Sequence, residues 1–211
     1  MAADRSAGDV VSRSGRARRP TLRTDVTDTV LEAVLAELAD VGHGRLTMEG
    51  VARRAGSSKP TLYRRWASKE EMVLEAISTV SQPAIPPDTD GGSLLDHLRA
   101  VAQDVCDWLS EPAARRIVPD LLAEAVRNDS IGETLSVHVS QPRRAAVRAM
   151  LERAQARGEA DPAADLEMVL DMLGALIYWR VCVLRLEAGA EYVAEVARIA
   201  HDQMLRPPGV R

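Results

Sequence analysis

The chain reads as an all-α protein, with a small N-terminal helical unit, a larger C-terminal one and about nine helices in 211 residues. Three observations point that way. Apolar residues recur at three- and four-residue intervals, Gly, Pro and Asn-Asp breakers separate the periodic segments, and no segment sustains a two-residue alternation bounded by turns.

Residues 1–23 are rich in Arg, Ser, Gly and Ala without apolar periodicity and read as a flexible basic arm. Helical spacing begins with Val26, Val30, Leu31, Val34, Leu35 and Leu38, with Thr24 or Asp25 as N-cap and Gly42 as the stop. A second helix starts at Thr47, presents Met48, Val51, Ala52 and Ala55 on one face, and ends at Gly56. A third runs from about Ser58 to Trp66 and accepts Pro60 in its first turn. Ser68 caps a fourth, with Glu71 at the capping-box position and Met72, Ile77 and Val80 on its buried side. Residues 24–80 thus form one unit. The run of Pro83, Pro86, Pro87, Gly91 and Gly92 marks 81–92 as a linker. Residues 93–206 form the second unit, with helices expected at about 93–110, 112–127, 130–157, 163–188 and 190–205. Pro142 is expected to kink or split the third of these.

Net charge is −4, yet it is unevenly placed. Residues 1–82 carry a net +2 and residues 83–211 a net −6. Residues 44–69 hold seven Lys and Arg against Glu49 alone, and residues 1–24 hold six Arg against Asp4 and Asp9. A polyanion meets that local field, because the distant acidic surface is screened over a Debye length of about 8 Å. Cys106 and Cys182 match no metal or redox spacing and read as free thiols of a reducing compartment. No apolar stretch follows the N-terminal arginines. The longest apolar run, Leu173–Trp179, falls far short of the roughly 20 residues that span a bilayer, so no membrane contact is expected.

The second and third helices form a candidate helix-turn-helix, Thr47–Ala55, Gly56-Ser57-Ser58 and Lys59–Trp66. Such a motif needs a short second helix that projects into the major groove and a first helix that fixes its angle. Lys59, Thr61, Tyr63, Arg64 and Arg65 supply charge for phosphates and hydroxyl or forked donors for base edges. Arg53, Arg54, Arg64 and Arg65 also suit a solvated charged face, and Tyr63 also suits packing. The arm residues Arg16, Arg18, Arg19 and Arg23 suit either an inert tail or a minor-groove contact.

The segment Leu46–Glu70, with Thr61-Leu62-Tyr63-Arg64-Arg65-Trp66 followed by Ser68-Lys69-Glu70, resembles the N-terminal signature of the TetR family of transcription regulators. The close match covers about residues 25–80. The resemblance implies a three-helix DNA-binding domain with a helix-turn-helix, plus a larger helical domain for ligand binding and dimerisation. It implies that Thr47 touches a phosphate and that Lys59, Pro60 and Thr61, opened by Ser58, meet base edges. Tyr63 and Lys69 would hold the backbone, with Arg65, and in one reading Arg64, also facing DNA. Leu62 and Trp66 match its buried side. Ser57 departs from a small apolar residue in the turn, while His43 and the absence of Phe replace usual aromatics; neither removes a DNA contact.

The resemblance further implies a homodimer through the last two helices and a cavity for an unidentified small-molecule effector. Leu166–Leu186 is apolar nearly all round and so needs a second burying surface, which a partner chain supplies, and Gly174-Ala175 permits close approach. Tyr192, Val193, Val196, Ile199 and Ala200 give the last helix a matching stripe. Candidate cavity residues are His97, Trp108, Leu121, His138, Met150, Met172, Tyr178 and Trp179, with Cys106 beside them. Each also suits plain core packing. Asp171 and Arg180, polar within an apolar helix, either pair or meet a ligand.

An enzyme or metal protein is the rival class. His43, His97, His138 and His201 include no pair at helical spacing, and no phosphate loop, nucleophile elbow or paired-carboxylate motif occurs. The resemblance implies a cytoplasmic, nucleoid-associated, ligand-responsive repressor that reads a palindromic operator, with no cofactor, metal or catalysis expected. A DNA binder of the same fold controlled by a protein partner, or by no ligand, is the alternative.

Overall fold

The computed structural model describes residues 22–81 and 92–205. The arm residues 1–21, with Arg16, Arg18 and Arg19, and most of the 81–92 linker lie outside the described residues. The described residues are helix and loop, with no strand among them. The N-terminal unit comprises α1 (Leu22–Val41), α2 (Met48–Arg54), α3 (Lys59–Tyr63) and α4 (Lys69–Val80). The remainder comprises α5 (Leu94–Ser110), α6 (Ala114–Ala125), α7 (Asp129–Leu135), α8 (Gln141–Ala156), α9 (Leu166–Tyr178) and α10 (Ala190–Met204).

Several boundaries differ from expectation, four of them for a local physical reason. First, α1 begins at Leu22, ahead of the expected cap at Thr24 or Asp25. A first turn tolerates both residues, so neither forces a start. Second, α3 is one and a half turns, because from Leu62 the backbone tightens: the N–H groups of Arg65 and Trp66 both donate to the Leu62 carbonyl.

Third, the 130–157 helix runs as α7 and α8 through a wide turn at Ser136–Ser140. Pro142 has no N–H for the carbonyl four residues back, and the Gln141 N–H reaches five residues back to Ser136 instead. Fourth, α9 opens into a second wide turn at Trp179–Val183 and the helix stops there, short of residue 188. Arg185 adopts φ 56°, and the Arg180 Nε donates at 2.8 Å to the Glu187 carbonyl while its guanidinium lies 4.2 Å over the Tyr192 ring. The chain thus folds back around Arg180 before α10.

Two cores result. Val30, Val34, Leu38, Val51, Leu62, Trp66, Met72 and Ala76 fill the N-terminal one, and Ile117 and Leu121 of α6 enter it from the other unit. The second core packs α5, α8, α9 and α10 around residues such as Leu98, Leu151, Ile177 and Ala197. Each fully buried Leu or Ile contributes about 1.5–3 kcal/mol relative to exposure. Val118 of α6 packs against this second core, so the helix works on both sides. The carbonyl of Arg115 loses its helical donor to Pro119 inside that helix.

Candidate nucleic-acid interface and apolar cavity

Capping side chains set the helix-turn-helix. Thr47 Oγ1 accepts the Gly50 N–H at 3.0 Å, and Ser58 Oγ accepts the Thr61 N–H at 3.3 Å while lying 2.7 Å from Thr61 Oγ1. Between them, Gly56 at φ 61° turns the chain, and the Ser57 N–H donates to the Ala52 carbonyl at 2.9 Å. Ser68 Oγ accepts the Glu71 N–H, but the Glu71 carboxylate takes the Ala67 N–H rather than that of Ser68. Gly50 lies against α1, where a Cβ would come within 2.5 Å of Glu37 Oε1.

Leu62 in α3 and Trp66 just after it are buried, so the other side of this segment faces outward. Lys59, Pro60 and Arg64 are exposed, and Tyr63 is 50% exposed. Lys59 Nζ sits 2.8 Å from Glu49 Oε1 and 5.9 Å from the Tyr63 ring centroid. Their hydrogen bond lowers the Glu49 pKa and raises that of Lys59, so both stay charged. An exposed pair of this kind is readily exchanged for a phosphate or a base edge.

Arg65 is more constrained. It bonds Glu75 Oε1 at 2.7 Å and lies 5.2 Å over Trp66, whose Nε1 donates to Glu75 Oε2 at 2.7 Å. Burial opposes ionisation of Glu75, but the bonds from Arg65 and Trp66 outweigh it and hold the carboxyl below its ordinary pKa. Arg54 is held by Glu37 and Asp40, at 2.8 and 2.6 Å. Lys69, at the start of α4, donates to the His43 carbonyl at 3.1 Å.

Two adjoining cavities, about 310 Å³ among α5, α6, α8 and α9 and about 600 Å³ among α1, α4, α6, α7 and the first wide turn, share Trp108, Val118, Leu122, Val139 and Ser140 in their walls. Volumes of this order suit a small molecule. The smaller reaches Leu173 and Tyr178; the larger reaches Leu35 and Ile77 of the N-terminal unit. Trp108, Leu121 and Tyr178 line these cavities. His97 is buried near the start of α5, Met150 and Cys106 are core residues, and His138 is exposed on the first wide turn. Met172 is half-buried on α9 and Trp179 is 57% exposed, so these residues stand outside the two cavities. Asp171 and Arg180 do not pair. Asp171 accepts from Arg144 at 2.6 Å, while Arg180 holds the loop before α10.

Residues 30–76 match the family described as bacterial regulatory proteins, tetR family, and residues 86–200 match the Tetracyclin repressor-like, C-terminal domain. The chain belongs to the TetR family. It is 34% identical over 152 residues to the Mycobacterium tuberculosis (strain ATCC 25618 / H37Rv) protein named "Uncharacterized HTH-type transcriptional regulator Rv1556", covering 72% of this chain and 73% of that protein. It is 26% identical over 176 residues to the "DNA-binding transcriptional repressor TetR" of Mycobacteroides abscessus, covering 83% and 90%. Among solved structures, Salmonella enterica GusR superposes with a TM-score of 0.73 at 22% identity, covering 89% of this chain and 99% of that one.

As a TetR-family protein the chain is a DNA-binding transcription regulator and not an enzyme. Among the described residues no His, Cys, Asp and Glu group is placed to hold a metal, and no helix is long and apolar enough to cross a membrane. Sequence reasoning about this TetR-family chain missed Glu75, Asp120 and Arg143. Their partners lie 9 to 77 residues away, so no local pattern marks them.

Proposed function

We propose that the protein is a ligand-responsive repressor that reads a palindromic operator as a homodimer. Lys59, Pro60 and Thr61, opened by Ser58, meet base edges in the major groove, Thr47, Tyr63 and Lys69 hold phosphates, and Arg65 with Arg64 also faces DNA. Two recognition helices must lie about 34–36 Å apart to read successive half-sites, which a dimer through α9 and α10 provides. Supporting that interface, Met168, Ala175, Trp179 and Val183 form an outward apolar stripe along α9 and its wide turn. The repressor sign is supported by the name of the Mycobacteroides abscessus relative.

The observation that carries the ligand response is the double role of α6. Its Ile117 and Leu121 line the larger cavity and are also buried in the N-terminal core. A molecule that prefers a shifted α6 moves the helix-turn-helix with it, and a differential affinity of about 1–3 kcal/mol between states changes DNA affinity about 5–150-fold. A regulator answering only to a protein partner needs no such apolar cavity.

The test is selection of randomised duplexes by the purified protein at near-physiological salt. A palindromic consensus with half-sites about one helical turn apart is expected. Enrichment of nothing beyond random sequence would refute the specific-reader reading.

A further inference from the structure

Arg143 is the feature of the cavity that apolar lining does not explain. Its side chain, from α8, is only 14% exposed and lies in the wall of the smaller cavity. There its guanidinium stacks 4.9 Å over Trp108, the ring shared by both cavities, and pairs with Asp104 of α5. Its Nη1 donates at 2.7 Å to the carbonyl of Ser81, the buried residue that ends α4. Arg144, its neighbour in the same wall, is already held by Asp171 and Glu167.

Two properties of this placement matter. A guanidinium has five N–H donors, of which its bonds to Asp104 and Ser81 occupy two among the described residues, so a further acceptor inside the apolar chamber can engage it. Its bond to Ser81 also puts a cation at the C-terminal end of α4, where the helix dipole favours it. That helix is 12 residues, or about 18 Å, long and starts at Lys69. One side chain thus touches both the cavity and the far end of the helix that begins beside the helix-turn-helix.

We propose that the cavity takes an amphipathic anion, an apolar body with one acidic oxygen group, and that Arg143 receives that group and in doing so releases Ser81 and α4. This inference rests on the ligand reading above and names the ligand's chemistry and the residue that senses it. The apolar body lies against Trp108 and Val118, while the acidic oxygens compete with Asp104 and the Ser81 carbonyl for the guanidinium. Loss of the Ser81 bond frees the end of α4, which lowers operator affinity.

The experiment uses the full chain and two dyes, 8-anilinonaphthalene-1-sulfonate as the amphipathic anion and Nile red as a neutral apolar control. Both should bind the unmodified protein saturably, and Val118→Trp, which fills the space shared by the two cavities, should abolish both. Arg143→Met, which keeps most of the apolar volume, should weaken the anion about tenfold or more and leave Nile red within about twofold. Asp104→Asn removes the competing charge and should tighten the anion several-fold, an outcome that a merely structural ion pair does not produce. The anion should also lower affinity for the selected duplex in the unmodified protein and not in Arg143→Met. Equal loss of both dyes in Arg143→Met, or weaker anion binding in Asp104→Asn, overturns the sensing role while leaving the cavity as a ligand site. Binding of neither dye to the unmodified protein, or binding that survives Val118→Trp, overturns the inference, and the first of these also removes the ligand reading on which it rests.

Discussion

The backbone N–H of His43 donates to Asp120 Oδ2 at 2.7 Å, joining the loop after α1 to the middle of α6. The carbonyl of the same residue accepts the bond from Lys69. One peptide loop therefore sits between the helix that walls the cavity and a lysine expected to grip DNA. Gly42 makes the approach possible: it adopts φ 76°, and a Cβ there would lie 3.0 Å from Asp120 Oδ1.

Asp120→Ala should cost about 1–3 kcal/mol of stability, because the partly buried His43 N–H loses a charged acceptor. Asp120→Asn, which can still accept, should cost less. Urea denaturation of the two variants beside the unmodified protein checks the order, and equal losses would count against the hydrogen bond.

Glu75 holds Arg65 and Trp66, the residues that follow α3. Glu75→Ala leaves the indole N–H of a buried tryptophan without its acceptor and should destabilise the protein by about 1–3 kcal/mol. Thermal melts give the loss. Indole fluorescence of a variant in which Trp108 and Trp179 are replaced by Phe should shift when Glu75 is removed.

Lys69→Ala should weaken binding to operator and random duplex alike and reduce the salt slope by about one unit. Lys59→Ala should instead lose discrimination between them, by roughly ten- to hundredfold if it reads a base edge. Fluorescence anisotropy over a salt series separates the two, and equal losses on both duplexes for Lys59→Ala would remove its reading role.

His43 titrates below its ordinary pKa, chiefly because burial penalises the imidazolium and secondarily because Lys69 lies beside it; Glu124, Glu70 and Asp120 pull the other way. Its Nδ1 is buried and finds no hydrogen-bond partner among the described residues. A depressed folded pKa means that the unfolded chain binds the proton more readily. The His43 contribution is therefore complete above the unfolded value near 6.5 and is lost as pH falls from there through the lower folded value. Melting temperature should drop between pH 7.5 and 5.5 in the unmodified protein and drop less in His43→Leu.

Trp179 is largely exposed on the apolar stripe of α9 and its wide turn. If that stripe is the dimer face, Trp179→Glu places a charge in a desolvated contact and should shift sedimentation toward monomer. Affinity for the palindromic duplex should fall with it, while each chain keeps its helical circular dichroism. A variant that remains dimeric at micromolar concentration would move the interface elsewhere.

The helix-turn-helix was legible in the sequence because its determinants are local. Thr47, Ser58 and Ser68 cap helices that begin within one residue of them, and Leu62 and Trp66 face the core because they are four residues apart. The all-helical class follows from the same short-range periodicity. The cavity was not legible in this way. Trp179 has the same side chain as Trp108, yet one is exposed and the other lines both cavities, and only the rotation of each helix in the packed bundle decides which faces the void.

The two wide turns divide along the same line. Pro142 announced the first, because a missing N–H is a property of the residue itself. Nothing near Trp179–Val183 announced the second, where Arg180 finds Glu187 and Tyr192 only after the chain has folded back. By itself the sequence determined the family, the helical class and the outward residues of the reading helix, since each depends on neighbours within about one or two turns. Tertiary structure alone decided that α6 serves two cores, that Asp120 holds His43, and that Arg143 joins Asp104, Trp108 and the end of α4. Those contacts join residues 35 to 77 positions apart, and packing, not spacing, brings them together.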